Sequence, residues 1–530
     1  MKIFRPLWMS LGLALRKQHH LFLRRSCATV VLASSMISQG VGLNPAQAQT
    51  TAYCQLTAEA IAQKDTLRLA AVTGDSNAKA RYQALLTKHT RQLQQCRKQT
   101  WPQNQAIWIR LYPCDLRPGA LDQIMDQIIN RGYNEVYVEV FYSGQVLLPA
   151  ATNKTPWPSV VRTPGLEKAD LLAQAIAKGH ERGLRVYAWM FTMNFGYSYA
   201  LRSDRQQALA RNGKGQTTVA IADQASLQLD LSAPIAEETF IDPYSRYAQY
   251  DYYQLVQEIV KRRPDGVLFD YVRYPRGLGT ASLATSVQDL WIYGEASQQS
   301  LLQRALNPKG QELIRRFLTR GYITVGDVQS VDKLYPQQNP PLWEGHTVTS
   351  TKSLTPSQQQ VTLQQDLWYL SVAHAVQGIL DFLTTASLSA QRQGVPSGAV
   401  FFPGGNQVVG QGFDSRLQAW DRFPATLEWH PMAYAVCGAT NANCIVEEVR
   451  RVLSQAAPET QVKPVLAGIW GKSISNRPSL EQQMAALRQA MPQINSVSHF
   501  AFSWQEPQSD RNRKFCQLQP TTASTGVKPE

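Results

Sequence analysis

No uncharged apolar run of about 18 residues, the length a spanning helix needs, occurs in the 530-residue chain. No integral membrane segment is therefore expected once the leader described below is removed. Lys and Arg form no cluster that would track a nucleic-acid backbone, so nucleic acid is not an expected partner. His-Glu-x-x-His and comparable ligand spacings are missing, and neither a catalytic metal nor another cofactor is expected. There is no internal repeat, and no Gly-rich phosphate fingerprint follows the first apolar strand. What is present is ordinary for a folded globular chain, with 44% hydrophobic and 17% charged residues.

The first segment reads as a leader. Lys2, Arg5, Arg16, Lys17, Arg24 and Arg25 precede an apolar run from Ala28 to Ile37, and Ala46-Gln47-Ala48 has the form of a cleavage signal. Residues 1–48 are accordingly read as a signal peptide, and the remainder as a soluble periplasmic or extracellular product. Arg24-Arg25 is compatible with twin-arginine export or with an ordinary basic leader. Six basic residues lie in this leader, which reduces the formal charge from +14 to +8 for the rest. Of seven cysteines, six lie beyond it, and an even number in an exported protein favours disulfides over metal ligands. Cys54 and Cys96 bracket two helical stretches and meet if these fold back on each other. Cys437 and Cys444 flank a short Gly/Asn loop, and Cys114 and Cys516 remain as the third pair. Free buried thiols are the alternative.

Residues 53–100 carry helical spacing, with Leu67, Ala70 and Ala71, then Tyr82, Leu85, Leu86 and Leu93, split by a turn at Thr73-Gly74-Asp75-Ser76. They are read as a small helical hairpin. From residue 104 onward, short apolar strands alternate with amphipathic helices. Eight strands are expected, at 106–112, 135–142, 185–191, 266–270, 398–402, 426–431, 462–469 and 497–504. Eight βα units over 104–506, followed by a tail at 507–530, predict an α/β fold of the (β/α)8 TIM-barrel class. Two long βα loops, about 194–245 and about 277–363, belong on the face where such barrels keep their sites.

The stretch Asp-Gly-Val-Leu-Phe-Asp-Tyr-Val-Arg-Tyr-Pro at 265–275 carries the most chemistry. Four apolar residues form a buried strand that delivers Asp270 to the C-terminal rim. Tyr271, Arg273 and Tyr274 follow it, a cation that favours the ionised acid and rings that suit sugar faces. A structural Asp capping the next loop is the bland reading. Asp265, in Pro264-Asp265-Gly266, reads as a turn former.

Together with Asn134 to Tyr142, Pro156-Trp157, the run His180 to Trp189, Ile241-Asp242-Pro243 and Pro431-Met432-Ala433-Tyr434, this stretch resembles the glycosyl hydrolase-like 10 family over about 104–505. The resemblance implies a (β/α)8 fold and hydrolysis of glycosidic bonds in cell-wall or extracellular glycans. Glu139 and Phe141 depart from the polar Gln and Arg expected of that pattern.

Glycoside hydrolysis needs two carboxyl groups across the scissile bond. Asp270 is the first. Glu139 shares strand parity with Tyr137 and Phe141, and it points either into the mouth or to an ion pair with Arg110. Asp242 is on the active face in the family's pattern, or else it is a helix cap. Glu506, just past the eighth strand, is a third candidate, whereas Glu428 belongs near its strand's beginning. Tyr142, Trp189, Tyr434, Trp470 and Trp504 all fall at strand C-termini, where flat rings can meet sugars. Asn194 and His430 offer hydrogen bonds to hydroxyls. The expected function is thus an exported glycosidase acting on a polysaccharide, with peptidoglycan-type glycan favoured. A non-catalytic glycan-binding or envelope-scaffold barrel is the competing reading, and a barrel closed over a small metabolite the third.

Overall fold

The computed structural model describes residues 53–228, 238–346 and 354–516. The leader read at 1–48 lies outside them, as do residues 517–530 of the tail. Thr57 and Asp75 open helices α1 (Ala58–Val72) and α2 (Ser76–Arg97) by accepting hydrogen bonds from the backbone N–H of Ala60 (3.3 Å) and Ala78 (2.9 Å), donors that a helix start leaves open. The two helices close on Leu67, Tyr82, Leu85 and Leu86. A buried ionic knot docks this hairpin on the barrel: Asp126 accepts from Tyr82 Oη (2.7 Å) and from Arg182 Nε (2.8 Å), with Lys64 Nζ 3.8 Å away.

Among the described residues eight parallel strands form a closed ring. They are β1 (Asn104–Arg110), β2 (Glu135–Tyr142), β3 (Arg185–Phe191), β4 (Gly266–Asp270), β5 (Ser397–Phe401), β6 (Glu428–Ala433), β7 (Val465–Ala467) and β8 (Ser496–Phe500). Each pairs with the next, and β8 returns to β1. The fold is therefore the (β/α)8 barrel expected, with strand ends shifted by up to four residues. Strand β8 stops earlier than read, so Trp504 sits in a short helix, Phe502–Gln505.

Helix α3 (Ala120–Asn130) buries Leu121, Ile124, Met125, Ile128 and Ile129 against the sheet, as its 3.6-residue spacing requires. Helix α4 (Leu171–His180) packs on β2 and β3, and α5 (Arg246–Val260) brings the ring of Tyr252 to within 6.5 Å of Phe269 on β4. The long connection after β4 holds α6 (Glu295–Leu302), α7 (Pro308–Arg320) and α8 (Val325–Leu334), then the 36-residue α9 (Pro356–Gln391). Helix α9 starts inside the insertion read at 277–363, because Thr355 and Gln358 cap it reciprocally. It packs on α5 and β5, so its later turns are the barrel's own fourth helix. A small sheet of Leu283–Ala284, Val408–Val409 and Gly412–Asp414 pins the insertion to the loop after β5. Helices α10 (Asn443–Leu453), α11 (Leu480–Ala490) and α12 (Pro507–Lys514) complete the outer layer.

Side chains fill the interior. His430 on β6 meets Trp108 on β1 (6.4 Å between centroids) and Tyr137 on β2 (5.6 Å); β6 is a neighbour of neither strand, so all three rings point inward. Beneath them, at the strand starts, Glu428 lies 2.8 Å from Lys463 Nζ and 3.2 Å from His430 Nε2, while Glu135 pairs with Arg185 and accepts from Tyr137 Oη at 2.8 Å. Burial alone would raise the Glu428 carboxyl, but His430 and Lys463 overcome it and hold it down to about 2. All six cysteines pair as read, Cys54–Cys96, Cys114–Cys516 and Cys437–Cys444, with Cα separations of 5.8, 5.5 and 6.0 Å.

Candidate active site

Strand β4 is apolar until its last residue, so the register that buries Val267, Leu268 and Phe269 also places Asp270 beside Phe191 at the C-terminal rim. Asp270 is only 7% exposed. Its Oδ1 accepts from the Tyr271 backbone N–H (2.6 Å) and its Oδ2 from Trp189 Nε1 (3.1 Å). Burial pushes its carboxyl up to about 6, against those two hydrogen bonds and the charge of Arg273, with Glu238 adding to the rise. Tyr271 has a left-handed backbone, φ 52°, uncommon for a non-glycine residue. The chain there turns sharply, the ring folds back on Phe191 at 4.2 Å, and the hydroxyl donates to Glu238 Oε1 at 3.1 Å.

Glu238 is the carboxylate that sequence reasoning missed. It is half-buried and stands in a loop without periodicity. Only the folded loop brings it near: Asn194 Oδ1 accepts from the N–H of Thr239 at 3.0 Å, and residues 194 and 240 form a bridge. A doubled acid, Glu237-Glu238, was its single signal in the sequence.

Glu139 is buried and paired with Arg110, whose guanidinium lies 4.0 Å over the ring of Tyr142. Its Oε1 has no partner. Burial raises its carboxyl, Arg110 opposes this, and the charge of Asp270 adds to the rise, so the two acids share one electrostatic neighbourhood. The parity read for this strand needs correcting. The pairing of β2 with β3 shifts register between Glu139 and Phe141, which reverses the alternation. Phe141 packs outward on Trp157 (4.6 Å) and Phe195 (6.2 Å), leaving Tyr142 beneath Arg110.

Phe500 organises the remaining rim, with Trp189, Tyr434 and Trp504 around it at 6.3, 6.1 and 6.0 Å. Several other residues read as site candidates are engaged elsewhere. Asp242 is fully buried, and its oxygens accept from the N–H of Tyr244 and of Ser297, each at 3.0 Å. It thereby fastens the loop before α5 to the start of α6, and burial pushes its carboxyl up to about 6. Asn194 spends its Oδ1 on the N–H of Gly196 and Thr239. Tyr274 is sealed, its hydroxyl without a partner. His430 is sealed within the barrel beside Glu428. Trp470 turns to the outer layer, stacking near Tyr53 (5.1 Å) and donating to Tyr133 Oη (3.1 Å). Glu506 is bonded by Arg131 of the loop after α3. Asp265 accepts from the N–H of Val186 at 2.7 Å, a link between strand starts. No group of three or more His, Cys, Asp or Glu among the described residues is arranged to hold a metal ion.

The structure is thus a closed barrel with an acid and flat rings at its C-terminal mouth. Residues 106–299 match the model of the family glycosyl hydrolase-like 10, which bears out the resemblance read from the sequence over that span. No curated protein matches the chain. Among solved structures, the glycoside hydrolase domain of PgaB (BpsB) from Bordetella bronchiseptica is similar at 12% identity and TM-score 0.45, covering 77% of this chain and 98% of its own. The tandem GH20 catalytic modules of pneumococcal StrH are similar at 9% identity and TM-score 0.37, covering 78% and 83%. The GH20 exo-β-N-acetylglucosaminidase of Vibrio harveyi follows at 8% and 0.37, covering 75% and 50%. At such identities chemistry does not transfer from one chain to another.

Proposed function

We propose that this protein is an exported glycoside hydrolase acting on a cell-wall or extracellular polysaccharide, with an amino-sugar polymer of the peptidoglycan type favoured. The observation that carries the reading is Asp270: a carboxyl at the barrel mouth, its titration pushed up to about 6, among Trp189, Tyr271 and Phe191. An acid that keeps its proton to that pH suits protonation of a leaving glycosidic oxygen. Glu238, half-buried and held by Tyr271 Oη, is its partner as base or nucleophile. Glu139 acts from the other side, tied to Arg110, as an electrostatic neighbour of Asp270. Three disulfides support an oxidising compartment.

A glycan-binding barrel without hydrolysis is favoured by one observation, that Glu139, Asp242 and Glu506 are all engaged by other groups. Reducing-end release from amino-sugar polysaccharides separates the two. The wild type releases ends, Asp270→Asn falls by about 100-fold or more, and the variant still sediments with the polymer. Sedimentation by the wild type with no release from any such polymer would establish the binding reading instead.

A further inference from the structure

Five arginines are buried among the described residues, and four of them meet acids. Arg182 contacts Asp122 and Asp126, and Arg68 contacts Asp65 and Asp126. Arg513 grips Asp115 through Nε (2.8 Å) and Nη2 (2.7 Å), and Arg416 grips Asp414 through the same two nitrogens at 2.7 Å each. Arg273 is the exception. It is 7% exposed, its Nη1 donates to the Tyr274 carbonyl at 3.0 Å, and no Asp or Glu of the described residues forms an ion pair with it. Among the described residues its Nε and Nη2 have no acceptor, and they are not among the sealed polar atoms of the interior. Three rings surround the guanidinium, Tyr271 at 4.4 Å, Phe240 at 5.6 Å and Phe402 at 5.9 Å. Those residues lie just past the ends of β4 and β5 and in the loop that carries Glu238, which places the cation at the mouth beside Asp270.

We propose that the open Nε/Nη2 edge of Arg273 is a subsite for a carboxylate carried by a sugar unit of the substrate. A desolvated guanidinium without an ion pair is unfavourable unless something completes it. The rings do so in part through their faces, and a planar carboxylate does so through two parallel N–H donations. Arg513 and Arg416 show this molecule using that same edge for carboxylates. Glu238 does not fill the role, since it accepts from Tyr271 Oη while the Tyr271 ring faces Arg273. The protein thus acts on, or holds, an acidic glycan rather than a neutral one. This rests on the mouth being a glycan site, as proposed above.

The test compares one acidic polysaccharide with the same polymer after carboxyl reduction. Binding is measured on the Asp270→Asn protein, with and without Arg273→Gln or Arg273→Lys. Preference for the acidic polymer is expected at roughly tenfold with Arg273 present, near one with Gln, and in between with Lys, which keeps the charge but not the fork. Near-ultraviolet circular dichroism verifies that each variant is folded. Equal binding of both polymers with Arg273 intact overturns the subsite, as does an Arg273→Gln effect confined to the pH profile of hydrolysis in the wild-type background. Retained preference with no hydrolysis by the wild type overturns the enzymatic reading and leaves the subsite standing.

Discussion

The two ends of the barrel hold buried charge in opposite ways. At the strand starts the charges pair, Glu135 with Arg185 and Glu428 with Lys463, and Tyr137 and Tyr187 add hydroxyls, although His430 Nδ1 has no hydrogen-bond partner. At the strand ends, among the described residues, Asp270 has hydrogen bonds but no ion pair, Arg273 has neither a paired acid nor a full complement of acceptors, and Glu139 keeps one orphaned oxygen. The lower end pairs its charges and so supports the fold, while the upper end leaves Asp270 and Arg273 without an ion pair among the described residues, as befits a surface that a ligand finishes. Unfavourable electrostatics concentrated at one end of a closed sheet is a stronger pointer to function than any single residue there.

That contrast can be broken most forcefully from below. Lys463→Met removes the cation between Glu428 and Glu135, and a loss of about 3 to 5 kcal/mol is expected, read from the denaturant midpoint, with activity per folded molecule preserved. A midpoint equal to that of the wild type would show that the lower cluster is not a source of stability.

The upper end behaves oppositely. The Asp270 carboxyl, raised from 3.8 to about 6 on folding, binds its proton more tightly in the native state. Its contribution to stability is therefore full below pH 4 and declines as pH rises through 6, a difference of about 3 kcal/mol by neutrality. Asp270→Asn removes that dependence. The variant is expected to be at least as stable as the wild type at pH 7, with a flatter stability profile between pH 4 and 6. Thermal melts across that range check this, and a variant less stable at pH 7 would count against it.

A smaller effect sharpens the same point. Trp189→Phe deletes the donor to Asp270 Oδ2, a hydrogen bond that favours the ionised acid. The Asp270 midpoint is expected to climb by about 0.5 to 1 pH unit. With Asp270 as the proton donor, the alkaline limb of the pH–rate profile moves upward by that amount. An unmoved limb would separate the indole from the titration.

Much of this was legible in the residues. Apolar runs of five to eight residues bounded by turn formers located the strands, and the acid at the end of Val267-Leu268-Phe269 was fixed at the rim by the same run. The pairing of six cysteines followed from where the elements lay. What escaped was set by contacts that no spacing records. The register shift at Glu139 and Phe141 reversed two side chains without leaving a mark on composition. Asp242 and Asn194 carry groups that suit a sugar, yet the backbone nearby needed their oxygens first. Trp470 follows a strand end, but the chain leaves the rim within a residue or two and packs the indole on Tyr133. Glu238 reached the mouth by a loop whose path depends on that Asn194 contact.

The Cys114–Cys516 bond joins the loop after the first strand to a residue just past the end of α12 across 402 positions, so sulfur makes nearly the whole barrel into a single hoop. A protease that nicks the insertion after β4, or any other loop between those cysteines, opens the polypeptide without parting it. The two pieces remain one molecule for as long as the surroundings stay oxidising.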